Sequence, residues 1–202
     1  MKENPSKHQR FQKMREMIAD GEKKLTFELK VDKSIGFFSM KPILESDGNK
    51  RIHLAPDPYD KAKYYNKDLR ISQMNAFGEL FLITKPKLKW KILKENKKIG
   101  IYNCIKATTE ITVNSRGKKR IITAWFTPQI PLPFGPLGYD GLPGLILELE
   151  VYKKRYYAKK ITLNPKKEIE IKELIKGVKV SEKEFQSIGR ETMQKVKKNR
   201  GL

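Results

Sequence analysis

The chain has 202 residues, a formal net charge of +21 and a single cysteine. A chain of this length forms one domain that buries roughly 70% of its unfolded surface, so folding requires neither a disulfide nor a structural metal. The single cysteine excludes an internal disulfide framework. No apolar run in the sequence reaches the roughly 18 residues that a transmembrane helix needs.

Residues 1–22 have a basic start but lack the apolar stretch of a signal peptide. Phe11, Met14 and Ile18 share one face at helical spacing, with charged residues around them. We predict an exposed helical or frayed N-terminal segment. We also expect a shortened or altered start, which leaves the export of this chain open.

Most of the region 23–180 is predicted as antiparallel sheet, because apolar and polar residues alternate between turn signals. Residues 41–66 are the exception, since their prolines and polar residues favour a long loop. Further turns are predicted at 75–78, 95–98 and 114–117. The predicted strands cover residues 25–31, 35–40, 69–73, 79–84, 88–92, 99–113, 120–127, 145–152, 155–163 and 168–172.

The C-terminal segment, residues 181–202, changes from strand to helix periodicity. Ser181 and Glu184 have the spacing of a capping box, which predicts a helix over 182–197. The residues expected to pack this helix against the sheet are Phe185, Ile188 and Val196.

Strands in succession with helices only at the ends indicate one fold class for the whole chain, residues 1–202. We predict a single α+β domain that is mostly β: a curved antiparallel sheet with a C-terminal helix and a Pro/Gly-rich loop.

The Pro/Gly-rich loop joins the strands 120–127 and 145–152. Residues 142–145 fit a type II turn with Gly144 at φ > 0. Strand 120–127 is apolar on both faces, so we predict that the core helix covers one face and this loop the other, as an ordered lid that buries Trp125. A rigid structural corner is the alternative. The candidate ligand- or partner-binding residues are Trp125, Phe126, Phe134, Leu137, Tyr139, Gly141, Leu142, Pro143 and Gly144.

Carboxylates near the loop offer an alternative, hydrolytic chemistry. Glu148 and Glu150 share one strand face at roughly 7 Å, a spacing close to that of a glycosidase pair, and Asp140 lies in the loop before them. The same glutamates are also explained without catalysis, because alternate strand positions face lysine-rich neighbouring strands.

Cys104 and two histidines complete the candidates for catalysis. Lysine neighbours favour a reactive thiol at Cys104, but a small strand residue packed against the loop is the preferred interpretation. His8 is interpreted as a tail residue and His53 as a surface-loop residue. No catalytic residue, metal site or cofactor is predicted.

The positive charge favours anionic partners. The cations are mostly lysines spread over every segment, whereas nucleic-acid readers cluster arginine with stacking aromatics. A solvated basic surface is therefore the preferred interpretation. Binding to nucleic acid, an anionic glycan or an anionic envelope surface is kept as an alternative.

Several segments in order carry a family resemblance. Residues 90–93 read WKIL, 98–104 read KIGIYNC, 124–128 read AWFTP and 141–146 read GLPGLI. Over most of the chain, roughly 25–185, they resemble the GLPGLI family, named for the hexapeptide. The resemblance implies a protein of Bacteroidota in the periplasm or cell envelope, with an export signal in most members and no established activity.

From these observations we expect a non-enzymatic cell-envelope protein. It would bind an apolar ligand or a partner protein through its sheet face and Pro/Gly loop. The alternatives are a hydrolase that uses carboxylates near Asp140 and Glu148, and the electrostatic binder described above.

Overall fold

The computed structural model describes residues 9, 12–16, 20–21, 25–32, 34–42, 62–66, 69–112 and 118–199. Within these ranges a series of strands is followed by a C-terminal helix, Glu182–Asn199, and a short 3₁₀ turn covers Pro136–Gly138. The strands are β1 Phe27–Asp32, β2 Ile35–Met40, β3 Lys63–Asn66, β4 Arg70–Ala76, β5 Glu79–Lys85, β6 Trp90–Ile99, β7 Tyr102–Thr112, β8 Lys119–Thr127, β9 Leu145–Val151, β10 Lys154–Tyr157 and β11 Val178–Ser181.

The strands form two sheets. The six-stranded sheet has the order β1-β2-β3-β4-β5-β11, and the five-stranded sheet has the order β10-β9-β8-β7-β6. β11 pairs with β5 in parallel, and the other pairings are antiparallel. The predicted class, α+β and mostly β, is confirmed, with the strands divided between two sheets.

The main core lies between the inner faces of the two sheets. β8 contributes Ile122, Ala124 and Phe126 to this core, and each of the three is at most 1% exposed. They pack in one cluster with Phe38 and Phe81 of the six-stranded sheet. Burying both inner faces removes a large apolar area from water, which is the main favourable term in folding. The prediction that the helix covers this face of β8 is therefore wrong, because the other sheet covers it.

Several predicted boundaries differ from the structure. β6 is a continuous strand with a bulge between Ile92 and Asn96, so the turn predicted at 95–98 is wrong. Among the described strands, β6 is an edge strand that pairs with a neighbour on one side only, and exposed lysines are typical of such a strand. β10 ends at Tyr157, earlier than predicted. Residues 168–172 are not a strand, and β11 forms instead at 178–181.

The long loop predicted over 41–66 also contains a strand, β3, which lies between β2 and β4. Tyr64 and Tyr65 of β3 are both buried, one on each side of the sheet. Residues 43–61 of that loop and the turn predicted at 114–117 lie outside the described residues. In the N-terminal segment, residues 12–16 are helical and exposed, in agreement with the prediction.

The C-terminal helix begins at the predicted capping box. The backbone N–H of Ser181 donates to Oε2 of Glu184 at 2.6 Å, and the backbone N–H of Glu184 donates to Oγ of Ser181 at 3.2 Å. Phe185 and Ile188 pack against the main core, as predicted. Val196 is 40% exposed, so only the N-terminal half of the helix is docked.

Candidate functional site

The Pro/Gly-rich loop lies in the interior. Its apolar side chains Phe134, Leu137, Tyr139 and Leu142 are between 1% and 8% exposed. Leu137, Tyr139 and Leu142 belong to the main core, and the 3₁₀ turn contacts β2, β3 and β4 of the six-stranded sheet. The loop is therefore ordered and buried. With Phe126 these residues belong to the protein's packing and do not form an exposed aromatic platform.

The turn at Gly144 differs from the prediction. The N–H of Gly144 donates to the carbonyl oxygen of Leu142 at 2.8 Å, which closes a three-residue turn about Pro143. Gly144 does not have a positive φ, so the predicted type II turn is wrong. Glycine is required there for another reason: a Cβ would lie 2.6 Å from the carbonyl carbon of Thr127. Gly141 instead has the left-handed conformation, with φ +87°.

A buried ion pair anchors the loop to the six-stranded sheet. Nε of Arg70, on β4, lies 3.1 Å from Oδ1 of Asp140 and donates to the carbonyl of Gly138 at 3.0 Å. Nη1 of Arg70 donates to the carbonyl of Pro86 at 2.6 Å, and Nε1 of Trp90 donates to the carbonyl of Asp140 at 2.7 Å. Burial lowers the pKa of Arg70, and the Asp140 carboxylate opposes that shift. These bonds give Asp140 a structural role.

Asp140 and Glu148 do not form an acid–base pair. The carboxylate of Asp140 contacts Arg70 on the inner face of the six-stranded sheet, whereas Glu148 lies on the outward face of the five-stranded sheet. Glu148 and Glu150 do share that outward face, since their register partners on β8 are Trp125 and Thr123. The hydrolase prediction therefore depends on Glu148 and Glu150 alone.

The outward face of the five-stranded sheet carries a row of side chains across four strands. Lys106 lies opposite Trp125, Trp125 opposite Glu148, and Glu148 opposite Tyr157. Directly opposed residues share a face, and Phe126, next to Trp125, points into the core. Trp125 is half-buried and Tyr157 is 55% exposed. We call these four residues, with Lys97, the Trp125 surface.

Two ammonium groups flank the indole of Trp125. Nζ of Lys97 lies 4.3 Å from the ring centroid and 2.8 Å from Oε1 of Glu148. Nζ of Lys106 lies 5.8 Å from the same centroid and 2.8 Å from Oε2 of Glu95. Both cations are thus neutralised by carboxylates while they contact the aromatic ring. The surface combines an aromatic ring with hydrogen-bonding groups of both charges.

Trp125 is less buried than predicted. One side of it packs against the cluster that contains Ile130 and Phe134, as the lid hypothesis requires. On the same face of β8, however, Ile121 is 70% exposed. The loop therefore covers the end of the strand near Trp125 and leaves the rest of the outward face open. The prediction that both faces of β8 are fully covered is wrong.

Cys104 is enclosed beside the Trp125 surface. It is 0% exposed and packs in a cluster with Ile130 and Leu147. Burial raises the pKa of the thiol, and the opposing effect of the Lys97 ammonium is smaller. A protonated, enclosed thiol has little nucleophilic reactivity, which agrees with the preferred structural interpretation. His8 and His53 lie outside the described residues.

The sequence alone did not single out Lys97, Lys106 or Tyr157. Lys97 fell in a segment predicted as a turn, and only the bulged course of β6 brings it to Cys104 and Trp125. For Tyr157 the sequence offered a local signal. Its neighbour Tyr156 packs on the core, so alternation along the strand places Tyr157 on the opposite, outward face. The register that places it beside Glu148 depends on strand pairing.

Comparison with protein families gives one match over a short segment. Residues 112–148 match the model of a family described as "Protein of unknown function (Porph_ging)". The segment runs from the end of β7 through β8 and the loop into β9, and it includes the whole hexapeptide, Trp125 and Glu148. Over this segment the match supports the resemblance to the GLPGLI family. No curated protein matches the chain.

No helix among the described residues is long and apolar enough to cross a membrane.

Proposed function

We propose that this chain is a non-enzymatic cell-envelope protein that binds a glycan on the Trp125 surface. The envelope location follows from the family resemblance. The observation that carries the proposal is the row on the outward sheet face, in which two aromatic rings flank a carboxylate that is itself bonded to a lysine.

The chemistry of this row suits a sugar chain. Trp125 and Tyr157 are separated by two strand spacings, about 10 Å, so two rings of one chain can stack on them in turn. The C–H faces of sugars pack on aromatic rings, and their hydroxyls both donate and accept hydrogen bonds. Lys97, whose side chain is 34% exposed, supplies a donor between the two rings, and Glu148, which is only 8% exposed, accepts from Lys97 at 2.8 Å and holds the ammonium group there.

The geometry favours a glycan over the partners predicted from the sequence. The apolar side chains of the loop are occupied in the core, so they offer no surface to an apolar ligand. A nucleic acid or an anionic polymer needs cations without counter-charges, whereas Lys97 and Lys106 are paired with Glu148 and Glu95. The core of a protein–protein interface is usually depleted of such charges.

The binding experiment compares two equally exposed tyrosines. Tyr157 lies on the Trp125 surface, and Tyr152 lies at the turn after β9; each is 55% exposed. Defined oligosaccharides of three to six sugars and envelope polysaccharide fractions are titrated against the parent, Tyr157→Ala and Tyr152→Ala. A background of Trp90→Phe makes Trp125 the remaining fluorescent tryptophan. We expect Trp125 emission to change and Tyr157→Ala to weaken binding at least tenfold, or about 1.4 kcal/mol.

The outcomes separate the alternatives. Absence of glycan binding by the parent, or equal losses in Tyr157→Ala and Tyr152→Ala, would refute the proposal. A tenfold or larger loss between 50 and 200 mM salt would instead support an electrostatic binder. Hydrolysis of the bound glycan that is abolished by Glu148→Gln or Glu150→Gln would favour the hydrolase.

A further inference from the structure

The outer face of the six-stranded sheet is crossed by an irregular segment, residues 170–176, which we call the strap. Its side chains Ile171 and Leu174 pack into an apolar cluster with Tyr65 and Leu82 of the sheet. Nε2 of Gln73, on β4, donates to the carbonyl of Lys176 at 2.9 Å and holds the end of the strap. The strap is thus fixed to the sheet by these apolar contacts and by the Gln73 hydrogen bond.

Beside the strap lies an open groove of about 410 Å³, lined by residues 170–176 and by Lys30, Phe37, Lys63 and Gln73. This volume is within the range of small-molecule sites. The floor is apolar, because Phe37 of β2 faces the groove together with Ile171 and Leu174 of the strap. The groove is therefore large enough, and apolar enough, to take part of a small organic molecule.

Among the described residues, two lysines of the groove have no acidic partner. Lys172 is paired with Glu170 at 3.3 Å, and Lys30 is paired outside the groove with Glu28 at 3.8 Å. In the portion of the chain that the structure describes, Lys63 and Lys176 form no ion pair. Gln73 brings the two residues close together, because it lies opposite Lys63 in the sheet and donates to the backbone carbonyl of Lys176 in the strap.

We propose that this groove binds a small anionic amphiphile. Its carboxylate or phosphate head is held by Lys63 and Lys176, and its apolar chain lies on Phe37 and the strap. Charge complementarity selects the head, because the lining contains four lysines against Glu170 and Glu173. The apolar floor selects the chain, since a free inorganic anion would leave it exposed to water. This site lies on the other sheet and does not depend on the Trp125 surface.

The test uses probes that share a chain or a head. Dodecyl phosphate and laurate, below their micelle concentrations, are compared with dodecyl maltoside and with inorganic phosphate by calorimetric titration. Lys63→Gln and Lys176→Gln are compared with Lys98→Gln, an exposed lysine on β6 of the other sheet. All variants are checked for unchanged thermal unfolding.

We expect both anionic amphiphiles to bind at least tenfold more tightly than the maltoside and than phosphate. Lys63→Gln and Lys176→Gln should each weaken this binding at least fivefold, with no change in Lys98→Gln. Equal binding of the maltoside, equal binding of inorganic phosphate, or equal losses in all three variants would overturn the proposal. So would binding to phosphatidylglycerol vesicles alone, unaffected by Lys63→Gln, since that would indicate general attraction to an anionic membrane.

Discussion

Replacing Gly144 by alanine tests how the Pro/Gly-rich loop is held against β8. A Cβ at this position would collide with the carbonyl group of Thr127 and lie 3.0 Å from the nitrogen of Pro128. These are backbone atoms, and Thr127 is 0% exposed, so neither side can yield without moving the end of β8. Overpacking of this kind costs up to about 3 kcal/mol. In a domain of this size that free energy lowers Tm by about 10 °C.

Gly141 provides the matched control, because it lies in the same loop and is constrained by conformation instead of space. Its φ is +87°, and no atom lies within 4 Å of a Cβ built there. Gly141→Ala should therefore lose only about 1 kcal/mol of unfolding free energy, from the left-handed backbone alone. Gly141→Asn should lose less, because asparagine tolerates that conformation.

The measurement is urea unfolding followed by far-ultraviolet circular dichroism, with the slope m compared between variants so that midpoints report stability. We expect the order parent, Gly141→Asn, Gly141→Ala, Gly144→Ala, from most to least stable. If Gly144→Ala is as stable as the parent, or more stable than Gly141→Ala, the close approach of Gly144 to Thr127 is not what the fold requires.

Two further predictions concern the helix cap and the thiol. Ser181→Ala should lose about 1 kcal/mol of stability at neutral pH. The backbone N–H of Ser181, followed by its side chain, lowers the pKa of Glu184, so the carboxylate's stabilisation is present above its unfolded pKa of about 4.3 and is lost as pH falls through the folded pKa. Glu184→Ala removes this carboxylate, and a stability deficit of Glu184→Ala that is undiminished at acid pH would contradict the argument. Cys104 should resist iodoacetamide at pH 8 until urea unfolds the protein, and rapid alkylation of the native protein would show that the thiol is accessible.

Local sequence patterns were sufficient to predict the elements whose determining residues lie within a few positions of one another in the chain. β1 alternates apolar and polar residues, and the β4–β5 hairpin surrounds a turn at Phe77 and Gly78. The helix begins where Ser181 and Glu184 form their capping box, since both bonds join residues three positions apart. Periodicity and capping act over such short distances, so the sequence was sufficient for them.

Elements that depend on distant partners were missed. β11 is short and forms by parallel pairing with β5, with Val178 opposite Phe81. β6 is rich in lysine and is held as a strand by its pairing with β7. The turn at Gly144 was misassigned for a related reason. The sequence shows that glycine is present, but only the position of Thr127 shows that space, and not φ, requires it.

By itself the sequence determined the mostly β class and the terminal helix, because these follow from side-chain periodicity and local capping chemistry. Tertiary structure alone decided that the strands divide into two sheets with the Pro/Gly-rich loop between them. It also decided that Lys97, Trp125, Glu148 and Tyr157 meet on one outward face, since the register of four strands sets which side chains become neighbours.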